Sequence, residues 1–75
     1  MQYQVDIHGF TTIEVKKYLD DYIQRLPIHV KEVVVIHGYH GGTSLQVYIR
    51  KQYHHKRLKR VLVTTNPGES ILVLK

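Results

Sequence analysis

The chain has 75 residues, a formal net charge of +5, eleven Lys and Arg against six Asp and Glu, six His and no Cys. That length makes one domain, residues 1–75, and the absence of cysteine excludes a disulfide framework and a thiolate zinc site, which fits a reducing compartment. No apolar run reaches the roughly 18–20 residues of a membrane span and no signal-peptide pattern follows Met1, so the expectation is a cytoplasmic protein with no membrane partner. The positive charge on so small a domain points instead to an anionic partner, and for such domains that usually means DNA or RNA.

Tyr3 to His8 alternates, with Tyr3, Val5 and Ile7 on one face and Gln4, Asp6 and His8 on the other, the period of a half-buried strand. Thr11 and Glu14 then form a capping box, and Val15, Leu19, Tyr22, Ile23 and Leu26 recur at helical spacing until Pro27 stops the helix. Glu32 to Ile36 is a β-branched run without alternation, which predicts an interior strand. Thr43 and Gln46 offer a second capping box, for a helix from Ser44 to about Lys56 that buries Leu45, Tyr48, Ile49 and Tyr53. Arg60 to Thr65 reads as a third strand, Asn66-Pro67-Gly68-Glu69 as a turn, and Ser70 to Leu74 as a fourth strand paired antiparallel with the third. The order is βαβαββ. Right-handed crossovers then give an α/β two-layer sandwich of the α+β kind, a four-stranded mixed sheet with both helices on one face.

Three features carry candidate chemistry. Ile7-His8-Gly9-Phe10 is echoed by Ile36-His37-Gly38-Tyr39, each ending an apolar strand and leading toward a helix. Glycines at such a turn let backbone approach a ligand, and the first N–H groups of a following helix suit a phosphate. In the first strand Asp6 and His8 are two apart and are expected on the same face, about 6–7 Å from each other. A carboxylate beside an imidazole can fix its tautomer for acid–base chemistry, or the pair can share a metal ion. Finally, Arg50, Lys51, Lys56, Arg57, Lys59 and Arg60 fall within eleven residues, beside His54 and His55, and are expected to form a surface patch.

Val5-Asp6-Ile7-His8-Gly9-Phe10-Thr11 resembles the Leu-Asp-Leu-His-Gly-x-Thr signature of the small MutS-related (Smr) domain family, and His37-Gly38-Tyr39-His40-Gly41-Gly42 is similar to that family's second signature, here one residue longer. The resemblance covers nearly the whole chain. It implies an Smr-like fold related to the C-terminal domain of a bacterial translation initiation factor, binding of DNA or RNA, and in several members endonuclease activity. Carried over residue by residue, it makes Asp6 and His8 the candidate catalytic pair and His37, Gly38, His40, Gly41 and Gly42 candidate contacts to the phosphate backbone. Metal dependence stays open, with a divalent ion such as Mg2+ as one option.

Three readings follow. The first is a nicking endonuclease or endoribonuclease in which His8, assisted by Asp6, activates water for phosphodiester hydrolysis while the basic run aligns the strand. The alternative is a DNA-, RNA- or ribosome-binding module without chemistry. A third, a metal site built from His8, His37 and His40, needs the first two strands to be parallel neighbours.

Overall fold

The computed structural model describes residues 3–38 and 44–75. Among these the chain runs β1 (Tyr3–Asp6), α1 (Thr12–Arg25), β2 (Glu32–Ile36), α2 (Ser44–Val47) continued by a π-helical turn (Tyr48–Gln52), β3 (Leu58–Val63) and β4 (Glu69–Leu74). The strands form one sheet in the order β1-β2-β4-β3, with β1 parallel to β2 and the other two pairs antiparallel. The expected four-stranded mixed sheet is therefore present, and β2 is interior as its unbroken valine run required.

One cluster of side chains closes the molecule. Val5, Val33, Val35, Leu72 and Leu74 project from a single sheet face onto Val15, Leu19 and Ile23 of α1 and onto Leu45, Ile49 and Tyr53 of the second helical segment. Both helical segments thus cover the same face, as the right-handed crossovers demanded. The other face carries Gln4, Asp6, Glu32, Ile36, Ile71 and Val73. Val34 lies on that open face yet is 5% exposed, because Gln4 and Ile71 flank it across the two adjoining strands.

Helix α1 is specified locally at its start. The Glu14 backbone N–H donates to Thr11 Oγ1 at 3.2 Å while the Thr11 N–H donates to Glu14 Oε1 at 2.8 Å, the reciprocal capping box expected from the sequence. Those bonds hold the Glu14 carboxyl below its ordinary range. Its other end is held by a residue far along the chain. Arg57 Nη1 donates to the carbonyls of Ile23 at 2.7 Å and Leu26 at 2.8 Å, and Nη2 to that of Pro27 at 3.1 Å. A cation on the last carbonyls of a helix satisfies orphan acceptors and meets the negative end of the dipole. Arg57 is thus a cap on α1, a role that its place in the expected basic patch did not include.

The second helical segment ends at Gln52 and does not reach Lys56. The Tyr53 N–H donates to the Tyr48 carbonyl at 2.8 Å, closing a π turn, and the backbone becomes extended at Tyr53. Tyr53 is buried with its hydroxyl on Asp20 Oδ1 at 2.9 Å, and burial pushes that hydroxyl well above its ordinary pKa, so it stays a neutral donor. After Tyr53 the run His54-His55-Lys56-Arg57 has no apolar residue to hold another turn against the core.

The strand ends also shift. β1 stops at Asp6, two residues short of His8; β3 spans Leu58–Val63 in place of Arg60–Thr65; and β4 begins one residue early, at Glu69. A bulge explains β3. Leu58 pairs with Leu74 and Arg60 with Val73, leaving Lys59 as the extra residue, so Leu58 and Val61 both reach the core at a spacing of three, and alternation fails as a guide.

The cap makes a stability prediction. Arg57→Gln should destabilise the fold by about 1–3 kcal/mol, since it removes charged hydrogen bonds to three carbonyls, and each kcal/mol should lower the melting temperature by roughly 4–8 °C. The neighbouring Lys56→Gln should stay within about 0.5 kcal/mol of the parent. Equal melting of the two variants would remove the capping role.

Candidate functional site

The two His-Gly turns meet because β1 and β2 are parallel neighbours, and the Ile7 N–H continues their ladder by donating to the Ile36 carbonyl at 2.8 Å. Their pairing does not follow the sequence echo. Asp6, not Ile7, stands opposite Ile36, so the copies are offset by one residue. A one-residue offset sends equivalent side chains to opposite faces. Ile7 is fully buried and His8 exposed in the first turn, whereas Ile36 lies on the open face and His37 is 3% exposed, on the core side, in the second.

Gly9 has φ +83° and Gly38 φ +72°, the left-handed region that favours glycine. At Gly38 a Cβ would sit 3.7 Å from the His8 Cβ, an ordinary contact, so conformation and not crowding selects glycine there. The second turn is clamped from the β3–β4 connection: the N–H groups of His37 and Gly38 both donate to the Gly68 carbonyl at 2.9 Å. Asn66 braces that connection by accepting the Gly68 N–H on Oδ1 at 2.8 Å, and the Gln46 amide, expected in a second capping box, donates to the Pro67 carbonyl at 2.8 Å.

His37 sits at the end of a directed hydrogen-bond chain. A carbonyl can only accept, so Nδ1 carries the proton that it donates to the Gly38 oxygen at 2.9 Å. Nε2 lies 2.9 Å from Ser70 Oγ, and Arg50 Nε donates to the same Oγ at 2.9 Å, which directs the Ser70 hydroxyl hydrogen toward Nε2. Arg50 Nη2 also donates to the Glu69 carbonyl at 3.1 Å. Buried and spent in this way, His37 shapes the second turn; the expected direct contact with a phosphate is not open to it in this arrangement. Gly38 likewise has its N–H engaged. Ser70 was not legible as part of the site, since a lone serine at the start of a strand carries no signal of a partner 33 residues away.

Asp6 and His8 are closer than strand spacing predicts. The chain turns after Asp6, and the Asp6 Oδ1 accepts the His8 backbone N–H at 3.0 Å while meeting the ring Nδ1 at 2.5 Å. The ring bond first, and the backbone bond second, hold the Asp6 carboxyl below its ordinary range, so it is ionised at neutral pH. An ionised carboxylate only accepts, which places a proton on Nδ1 and leaves Nε2 to face outward. Their side chains are 51% and 73% exposed, open to a large substrate.

The basic run does not form one patch. Arg50, Lys51, Lys59 and Arg60, together with His54 and His55, line a groove of about 230 Å³ between the π turn and β3. Lys56 lies instead on a larger groove over α1, and Arg57 caps that helix. Three strand spacings and four residues of rise put Arg60 roughly 20 Å from Asp6. His40, Gly41 and Gly42 lie outside the described residues. Among the described residues no three His, Asp or Glu side chains converge on a metal position, and His37 faces away from His8. A divalent ion beside Asp6 would take most of its ligands from substrate and water.

No family model and no curated protein sequence matches the chain. Its structure is similar to the crystal structure of the Smr domain of Thermus thermophilus MutS2, with a TM-score of 0.81, 20% sequence identity, and coverage of 97% of this chain and 98% of that one. The chain therefore has the Smr-domain fold along almost its entire length.

Two outcomes are expected. Ser70→Ala should cost about 1–3 kcal/mol in thermal unfolding, because it strands the Arg50 Nε and the His37 Nε2 in partly buried positions; an unchanged melting temperature would show that the chain holds nothing. For Asp6, a lowered carboxyl contributes stability above its usual value of 3.8 and loses it as pH falls through the lowered value. The melting difference between parent and Asp6→Asn at pH 7 should therefore shrink below about pH 3.8.

Proposed function

We propose that this Smr-fold domain binds nucleic acid and hydrolyses phosphodiester bonds, with His8 as general base and Asp6 as the group that orients it. The observation that carries the reading is the contact between His8 Nδ1 and an ionised Asp6 Oδ1, on an exposed pair at the C-terminal end of β1. Ends of parallel strands are where α/β folds place ligands. In the reaction, Nε2 of His8 takes a proton from water as the water oxygen attacks phosphorus, and the departing oxygen is protonated from solvent. Asp6 stabilises the imidazolium that forms. A divalent ion, if bound, supplies charge neutralisation at the phosphate.

Lys51, Lys59 and Arg60 supply the backbone affinity, with Arg60 roughly 20 Å from Asp6 across the sheet. His40, Gly41 and Gly42 stay in the proposal as backbone contacts on their sequence pattern. A second reading, binding to DNA, RNA or a ribosomal surface without cleavage, is favoured by one observation: the N–H groups of His37 and Gly38, on the turn beside His8, are spent on Gly68 and do not await an oxyanion.

Incubation with single-stranded RNA, duplex DNA and supercoiled plasmid, with magnesium or chelator, separates the two. Under the first reading His8→Gln lowers the cleavage rate by roughly 100-fold or more with retention unchanged; no cleavage by the parent under any condition establishes the second. In either case, the triple variant Lys51→Gln, Lys59→Gln, Arg60→Gln should flatten the dependence of log affinity on log salt by about two to three units, at 0.7–0.9 per lost contact. A salt slope identical to the parent's would sink the basic groove as the binding surface.

A further inference from the structure

We propose that the groove over α1, with Tyr18 as its stacking face, binds an unpaired nucleobase, so that the nucleic acid taken by this domain is single-stranded. The inference rests on the nucleic-acid reading above and names its substrate class.

The groove is the larger of the two described, about 1110 Å³, and runs between the outer side of α1 and the 54–56 segment. It is continuous with the basic groove, because His54 and His55 line both. Of its lining residues, Tyr18 is in contact with the turn that follows β1, through Phe10. Tyr18 is 42% exposed, meets Phe10 edge-to-face at 5.8 Å between ring centroids, and stacks on Tyr22 at 6.1 Å. Phe10 follows His8 by two residues. A path of cation, aromatic ring and catalytic pair therefore runs from Lys59 and Lys51, past His54 and His55, over Tyr18 to His8.

The charges along this path also select an anion. Of the carboxylates lining the groove, Asp20 is paired with Lys16 and Asp21 with Arg25, while Glu14, which accepts only the neutral Thr11 N–H, keeps its charge. Lys17 and Lys56 line the groove and make no ion pair or hydrogen bond among the described residues, so against Glu14 the balance of charge left there is one positive. Cations flanking a partly exposed aromatic ring can hold a phosphate on either side of a stacked base, and Tyr18, stacked on Tyr22 at one side, keeps 42% of its surface exposed. In a duplex the base faces are already stacked on their neighbours, and Tyr18 would have nothing to engage.

The test uses the intact chain with Tyr18→Leu, which keeps apolar bulk without a π face, and Tyr18→Trp, which keeps the face. Probes of about a dozen nucleotides, within the range of single-strand site sizes, are an RNA strand, a DNA strand of the same sequence, the same strands with abasic positions, and the duplex. For the better-bound intact strand, Tyr18→Leu should weaken affinity by roughly 5- to 150-fold, the range that one stacked base contributes, and Tyr18→Trp should retain it. Abasic strands should bind parent and Tyr18→Leu alike, and the duplex should bind the parent more weakly than the single strand. Whichever sugar binds better identifies the source. Thermal melting of both variants confirms that they fold. Salt-dependent binding that is indifferent to Tyr18, or a duplex that binds as tightly as the strand, overturns the groove assignment while leaving the nucleic-acid reading standing. No salt-dependent binding of any probe by the parent overturns that reading itself.

Discussion

The offset pairing of β1 with β2 governs how this molecule presents its chemistry. Parallel strands in a buried layer have their register dictated by which residues must enter the core, and here Val5, Val33 and Val35 lock the pair. With Asp6 opposite Ile36, one His-Gly copy is turned to solvent and the other to the protein interior. The exposed copy becomes half of a carboxylate–imidazole pair, and the buried copy becomes the anchor of a turn. The same tripeptide thus does two different jobs because of the parity of one strand.

The buried anchor shows why a polar chain is tolerated at the edge of this core. His37, Ser70 and Arg50 come from β2's end, β4 and the π turn, and among the described residues no buried side-chain nitrogen or oxygen lacks a partner. A fully satisfied network of this kind rigidifies, whereas a half-satisfied one costs stability. It sets the Gly38 backbone beside His8, which is where preorganisation matters for any ligand held there. The wide π turn has a part in this. It keeps Ile49 and Tyr53 in the core while Arg50 reaches sideways to β4, and π segments recur at functional positions for that reason.

Arginines and lysines of the basic run divide along the chemistry of their side chains. Arg57 and Arg50 use planar, multi-donor guanidinium groups to tie carbonyls and a hydroxyl inside the protein, work that a lysine's point charge does poorly. Lys51, Lys56 and Lys59 stay exposed on their flexible stems, and Arg60 joins them on the β3 edge. Charge count alone therefore does not say how the run is divided: Arg50, Lys51, Lys59 and Arg60 line one groove, Lys56 another, and Arg57 sits on the end of α1.

Much of the architecture was legible before any coordinates. The capping box at Thr11, the i, i+4 stripe of Val15, Leu19 and Ile23, the unbroken valines of β2 and the Pro-Gly turn are local signals, and local signals survive into the structure because the backbone answers first to its neighbours in sequence. The motif around Asp6 and His8 was legible as well, and so was the order of elements that matches the Smr-domain fold. What the sequence by itself left undecided all depends on partners far along the chain: Arg57 on the end of α1, Ser70 on His37, the bulge at Lys59, and the face to which each His-Gly copy turns. A strand's side chains alternate with period two, so a single step of register, invisible within either segment, decides which histidine meets solvent. Only the packing of the whole sheet against its helices sets that step.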